Sequence, residues 1–112
     1  MDQQRVIDAF LAGDGPALRE LLAPDVTFHS PVADYQGRAR AGDVLAAVTE
    51  VLGAPRATSI LSGPGEAVAF FAVDVDGRHA DGVLRVAGVD VTLMLRPLKT
   101  LLAGVERMRQ RL

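Results

Sequence analysis

The segment EAVAFFAVDVDGRHADGVLRVAGVDVTLMLR, Glu66 to Arg96, decides the fold. Asp76-Gly77 at its centre is the dipeptide of a two-residue type I′ hairpin turn, because both positions tolerate positive φ. The spacing predicts strands over Glu66–Val75, Arg78–Val86 and Val89–Arg96, with Ala87-Gly88 as a second, weaker turn. With these turns Val75 pairs with Arg78 and Val86 with Val89. One face then carries Ala69, Phe71, Val73, Ala80, Leu84, Val86, Val91, Leu93 and Leu95, and it has to pack on something apolar. The other face is mixed. Its expected rows are Asp74, His79 and Arg96; Ala72, Asp81 and Met94; Phe70, Val83 and Thr92; Val68, Arg85 and Asp90. Opposed residues sit about 5 Å apart at Cβ. Asp74 is therefore expected to touch His79, and Arg85 to pair with Asp90.

Working outward, the N-terminal half is helical by spacing. Val6, Ile7, Phe10 and Leu11 share one face of a helix over Gln4–Ala12 that Gly13 ends. Asp14 caps a second helix with Pro16 in its first turn and Leu18, Leu21 and Leu22 as its stripe. Asp25–Ser30 alternates as a strand, Pro31–Gly37 reads as a loop, and a third helix runs from Ala39 to Leu52. Arg56–Leu61 is a further strand. Pro97 opens a terminal helix with Leu98, Leu101, Leu102, Val105, Met108 and Leu112 at helical spacing. The class is α+β: helices packed on one face of an antiparallel sheet, with an additional C-terminal helix.

Composition narrows function by exclusion. The 112 residues suit a single domain spanning 1–112, and 49% hydrophobic residues are enough for a core. No cysteine means no disulfide, no thiol nucleophile and no Cys-ligated metal. A net charge of −2 argues against nucleic acid, and the apolar runs are too short to span a membrane. Met1-Asp2-Gln3-Gln4-Arg5 has no signal-peptide character, so the expected location is the cytoplasm. Arg107, Arg109 and Arg111 read as cations complementing a helix C-terminus.

A family resemblance rests on Ala12-Gly13-Asp14, on Leu18-Arg19-Glu20-Leu21-Leu22-Ala23-Pro24-Asp25-Val26-Thr27-Phe28, and on Ser30-Pro31 with Tyr35-Gln36-Gly37-Arg38. In these spacings and in its order of elements the chain resembles the SnoaL-like branch of the nuclear transport factor 2-like (NTF2-like) superfamily over roughly Arg5 to Arg96. The resemblance implies an α+β cone with a strongly bent sheet, a pocket at the cone's mouth and a homodimer. The superfamily hosts isomerases, cyclases, epoxide hydrolases and proteins without chemistry, so fold leaves activity open. The isomerase pattern is not met. Ser30 stands where its general base is expected, and Val6 where its phenolic donor is expected. The terminal helix is a departure from the pattern.

Three residues are candidates for chemistry. His29 has the intrinsic chemistry of an acid or base, and reads more simply as a strand-edge histidine on a polar or dimer face. Asp81 and Arg96 are charges set in apolar strands, suited to water activation or an anionic group, and equally to a structural ion pair or a subunit contact. A His29–His79–carboxylate metal site lacks a defining spacing, so neither metal nor cofactor is expected. Phe10, Val26 and Phe28 are the expected pocket wall, with Ser30 and Tyr35 at its mouth. The chain is then one of three things. It binds a small apolar molecule, with at most light catalysis; it is a water-adding, lyase or isomerase enzyme using His29, Asp81 and Arg96; or it is a homodimeric assembly module with a vestigial pocket.

Overall fold

The computed structural model describes residues 1–96 and 105–111. Helix α1 spans Gln3–Leu11, and the Asp2 carboxylate accepts a hydrogen bond from the Arg5 backbone N–H at its start. Helix α2 spans Gly15–Leu21, capped in the same way by Asp14 accepting from the Ala17 N–H. These caps satisfy backbone donors that have no partner inside the helix. Strand β1 is Thr27–His29, β2 is Asp34–Gln36, and helix α3 is Arg38–Leu52. Strands β3 (Arg56–Gly63), β4 (Glu66–Val75), β5 (Arg78–Ala87) and β6 (Asp90–Arg96) complete one sheet in the order β2-β1-β6-β5-β4-β3. The sheet is strongly curved, and the helices lie in its bend. Residues 105–109 are helical. The proposed start of that helix at Pro97, with Leu98, Leu101, Leu102 and Leu112, lies outside the described residues.

The α+β expectation holds, with one addition. The sheet is mixed, because β1 runs parallel to β6 (Phe28 opposite Val91) while every other pair is antiparallel. The stretch read as a loop also contains β2. It pairs with β1 through His29↔Asp34 after a tight turn in which Ser30 Oγ donates to the Ala33 carbonyl and accepts from the Ala33 N–H.

The Asp76-Gly77 turn forms as expected, with φ of 52° and 76°, and Val75 pairs with Arg78. The second turn does not. Gly88 takes φ 56° as the first central residue of a Gly88-Val89 turn, so Ala87 pairs with Asp90 and Val86 with Val91. Positive φ at the first central position alone is the type II′ pattern, which favours glycine there. The pairing is displaced by two residues from the expected one. An even displacement leaves every side chain on its own face, so the apolar face survives while the cross-strand partners change.

That apolar face closes on α1, α2 and α3. Phe10, Phe28, Phe71, Leu18, Leu45 and Leu84 are all almost or wholly removed from solvent. Phe10 and Phe71 meet ring to ring with centroids 5.3 Å apart. Gly82, opposite Phe71, makes room for that ring: a Cβ built on Gly82 would stand 2.3 Å from Phe71 Cζ.

Candidate functional site

Two concave regions lie on opposite faces of the sheet. The first is inside the cone, between α3, β6, the Ser30–Val32 turn and the helical residues 105–109. It is a cavity of about 40 Å3. Val48, Val51 and Leu52 supply the helix side, Leu93 and Leu95 the sheet side, and Pro31, Val32, Val105 and Met108 the cover. Among the described residues Ser30 is the one polar member of the lining, and its hydroxyl is engaged by the backbone of its own turn. Among the described residues, none in the lining is titratable. By volume the cavity takes a few water molecules at most, since each needs about 10–15 Å3. Its apolar walls offer water no partners.

The second region is an open groove of about 410 Å3 on the outer face of the sheet. Phe70, Val83 and Met94 form one wall, and Asp81 and Arg96 the other. Phe71, Gly82 and Leu95 also line the groove, as does Thr58. Thr58 is there because β3 bulges between Ala57 and Ser59 where it pairs with β4.

The sequence candidates divide between these regions and the core. Asp81 and Arg96 are direct cross-strand partners, not diagonal neighbours, because of the two-residue displacement. The expected Arg85–Asp90 pair is replaced for the same reason. Arg85 Nε instead donates to Glu66 Oε1 at 2.6 Å, and Asp90 approaches His29. The Asp74–His79 contact exists at 3.9 Å, and His79 is closer to Asp81, at 3.1 Å.

His29 also lies on the outer face, held between Asp34 at 3.0 Å and Asp90 at 3.6 Å. It stands opposite Thr92, four residues before Arg96 on β6. That separation is about 13 Å along the strand. The fold therefore does not bring His29 together with Asp81 and Arg96, and none of the three lines the interior cavity. Among the described residues no group of three or more His, Asp or Glu is placed to hold a metal.

Phe10, Val26 and Phe28 are fully buried packing residues and border neither region. Tyr35 is half-buried, stacked on Phe28 at 6.2 Å, with the Arg40 guanidinium 5.3 Å from its ring centre. Ser30 alone of the five expected lining residues reaches the cavity. Val48, Val51, Leu52, Leu93 and Leu95 were legible only as apolar stripes. An apolar side chain that borders a void has the same identity and spacing as one that fills a core.

Comparison with known proteins places this geometry. A family model described as a SnoaL-like domain matches residues 4–94. Among solved structures, an uncharacterised protein with a cystatin-like fold from Silicibacter pomeroyi is similar at 28% identity and TM-score 0.87, covering 96% of this chain and 82% of that one. A steroid delta-isomerase from Pseudomonas aeruginosa is similar at 28% identity and TM-score 0.83, covering 94% and 84%. A putative polyketide cyclase from Sinorhizobium meliloti shares the fold at 17% identity and TM-score 0.65, covering 80% and 90%. No curated protein matches the sequence.

Proposed function

The chain belongs to the SnoaL-like family, of NTF2-like fold, and from that premise we propose that it binds a small, neutral, apolar molecule in the cavity between α3 and β6, without acid–base chemistry of its own. One observation carries this reading: the described residues that line the cavity are apolar apart from one hydroxyl, which is already hydrogen-bonded. Such a lining rewards apolar area and penalises an unpaired polar or charged group. Proton transfer would need a positioned titratable group within hydrogen-bond reach, and the described lining residues include none. The likeness to a steroid delta-isomerase supports a lipophilic guest. The isomerase roles do not carry over, since Val6 is wholly buried and Ser30 is spent on its turn.

A guest larger than a few atoms requires the cover of the cavity to move outward. The cover is suited to this, because Val32 is 59% exposed and Met108 is only partly buried. The test is thermal denaturation with a panel of neutral lipophiles. A ligand at a hundred times its Kd stabilises by about 2.7 kcal/mol, which raises Tm by several degrees. Val51→Phe, which fills the cavity from α3, removes the shift. No shift across the panel contradicts the reading.

A specific observation favours a second role for the outer face, as the contact between two copies of the chain. Leu61, Phe70 and Met94 are exposed there at 60%, 41% and 54%, in one patch rimmed by Glu66, Arg85, Asp81 and Arg96. An apolar centre with a charged rim is the composition of a subunit interface. Sedimentation equilibrium of the wild type against Phe70→Asp tests it: a dimer turned into a monomer is the expected result, and a wild-type monomer at micromolar concentration overturns it.

A further inference from the structure

We propose that helical residues 105–109 form a plug latched over the interior cavity by two ion pairs, and that these pairs control the entry of an apolar guest. The inference rests on the reading of the cavity as a binding site, and adds how access to it is regulated. Val105 and Met108 line the cavity, and Met108 packs against the core.

Residues 107 and 111, within and just after this stretch, are tied to different elements. Arg107 pairs with Asp76 at the tip of the β4–β5 hairpin. Arg111 Nε donates to Glu50 Oε2 on α3 at 2.9 Å. The two anchors therefore lie on separate elements, and Met108, which lines the cavity, sits between Arg107 and Arg111 in the chain. Both pairs are partly exposed, with side-chain accessibilities of 39% and 46% for the first and 34% and 65% for the second. Pairs of this kind are weak singly and sensitive to salt. A weak, salt-sensitive closure can hold a plug in place and still release it. Arg109 pairs within the segment, with Glu106 at 3.5 Å, and so takes no part in the latch.

The guest and the latch compete. A guest that needs the plug displaced binds with an apparent affinity reduced by the fraction of molecules that are open. Loosening the latch raises that fraction without touching the lining.

The experiment measures N-phenyl-1-naphthylamine, a neutral apolar fluorophore, binding to the full chain at low and high NaCl. The variant Asp76→Asn with Glu50→Gln removes both anchor charges at nearly unchanged shape. Asparagine is a favoured residue at the positive φ of position 76, so the hairpin turn is kept. The expected result is about five- to tenfold tighter binding by this variant at low salt, the open fraction rising by that factor. Wild-type affinity should rise toward the variant's between about 0.02 M and 0.5 M NaCl, as screening weakens the latch, while the variant's changes little. Arg109→Gln should match the wild type throughout.

Equal affinity and equal salt dependence in wild type and variant overturn the latch and leave the binding site standing. Absence of probe binding in both, at every salt concentration, overturns the site and the latch together. Arg107→Gln with Arg111→Gln removes the same pairs from the plug's side, and must reproduce the effect even if the first variant folds poorly.

Discussion

Asp81 on β5 stands directly opposite Arg96 on β6, on the face of the sheet turned away from the interior cavity. Two charged residues that look catalytic in sequence are thus separated by the thickness of the sheet from the apolar site. Asp81→Asn is expected to leave probe affinity for the cavity unchanged, and to alter stability by no more than about 0.5 kcal/mol, as exposed substitutions usually do. Fluorescence titration and urea denaturation check both. A large loss of affinity would place the site on the outer face.

Leu93 is 3% exposed and forms the sheet side of the cavity. Leu93→Ala is expected to cost about 2–5 kcal/mol, the usual range for a buried leucine. It also enlarges the void, so the variant should bind N-phenyl-1-naphthylamine more tightly than the wild type and recover part of the lost stability when saturated. Isothermal denaturation with and without the probe measures both effects.

Gly82 is required by Phe71 rather than by its own backbone. Gly82→Ala forces a methyl against the Phe71 ring and is expected to destabilise by about 1–3 kcal/mol through overpacking. Adding Phe71→Leu to the same chain should cost much less than it does alone, because the two residues share one space. Additive losses in the double-mutant cycle would contradict this coupling.

On the outer face, Met94→Glu places a charge at the centre of the exposed patch beside Phe70 and Val83. If two copies meet there, the substitution leaves a monomer with wild-type circular dichroism and cavity binding. An unchanged mass in sedimentation equilibrium would move the contact elsewhere.

Much of this architecture is readable without coordinates, for reasons that differ by element. Asp76-Gly77 admits one turn type, so β4 and β5 pair as expected. Gly88 could be either the second residue of one two-residue turn or the first of another, and its neighbours do not decide between them. The apolar face forbids an odd displacement and permits an even one. Faces were therefore legible, and individual pairs such as Asp81↔Arg96 and Arg85–Glu66 were not. Strand β2 escaped notice because Asp34-Tyr35-Gln36 has no alternation longer than three residues. Its pairing is organised by the Ser30 turn. The location of the cavity was hidden more completely. Phe10, Val26 and Phe28 promise a wall by size, yet all three are buried in the core, Phe10 against Phe71 and Phe28 against Tyr35, and none borders the cavity. The void opens instead beside smaller aliphatic residues of α3 and β6. Whether apolar side chains meet or miss depends on how the sheet curves, which no local pattern encodes.

The most direct test is an isotope-filtered nuclear Overhauser measurement on the chain saturated with N-phenyl-1-naphthylamine. Ring protons of the probe should show contacts to the methyl groups of Val48, Leu93 and Met108, and none to Val83 or Met94. Contacts confined to Val83 and Met94 would put the guest in the outer groove and contradict the account.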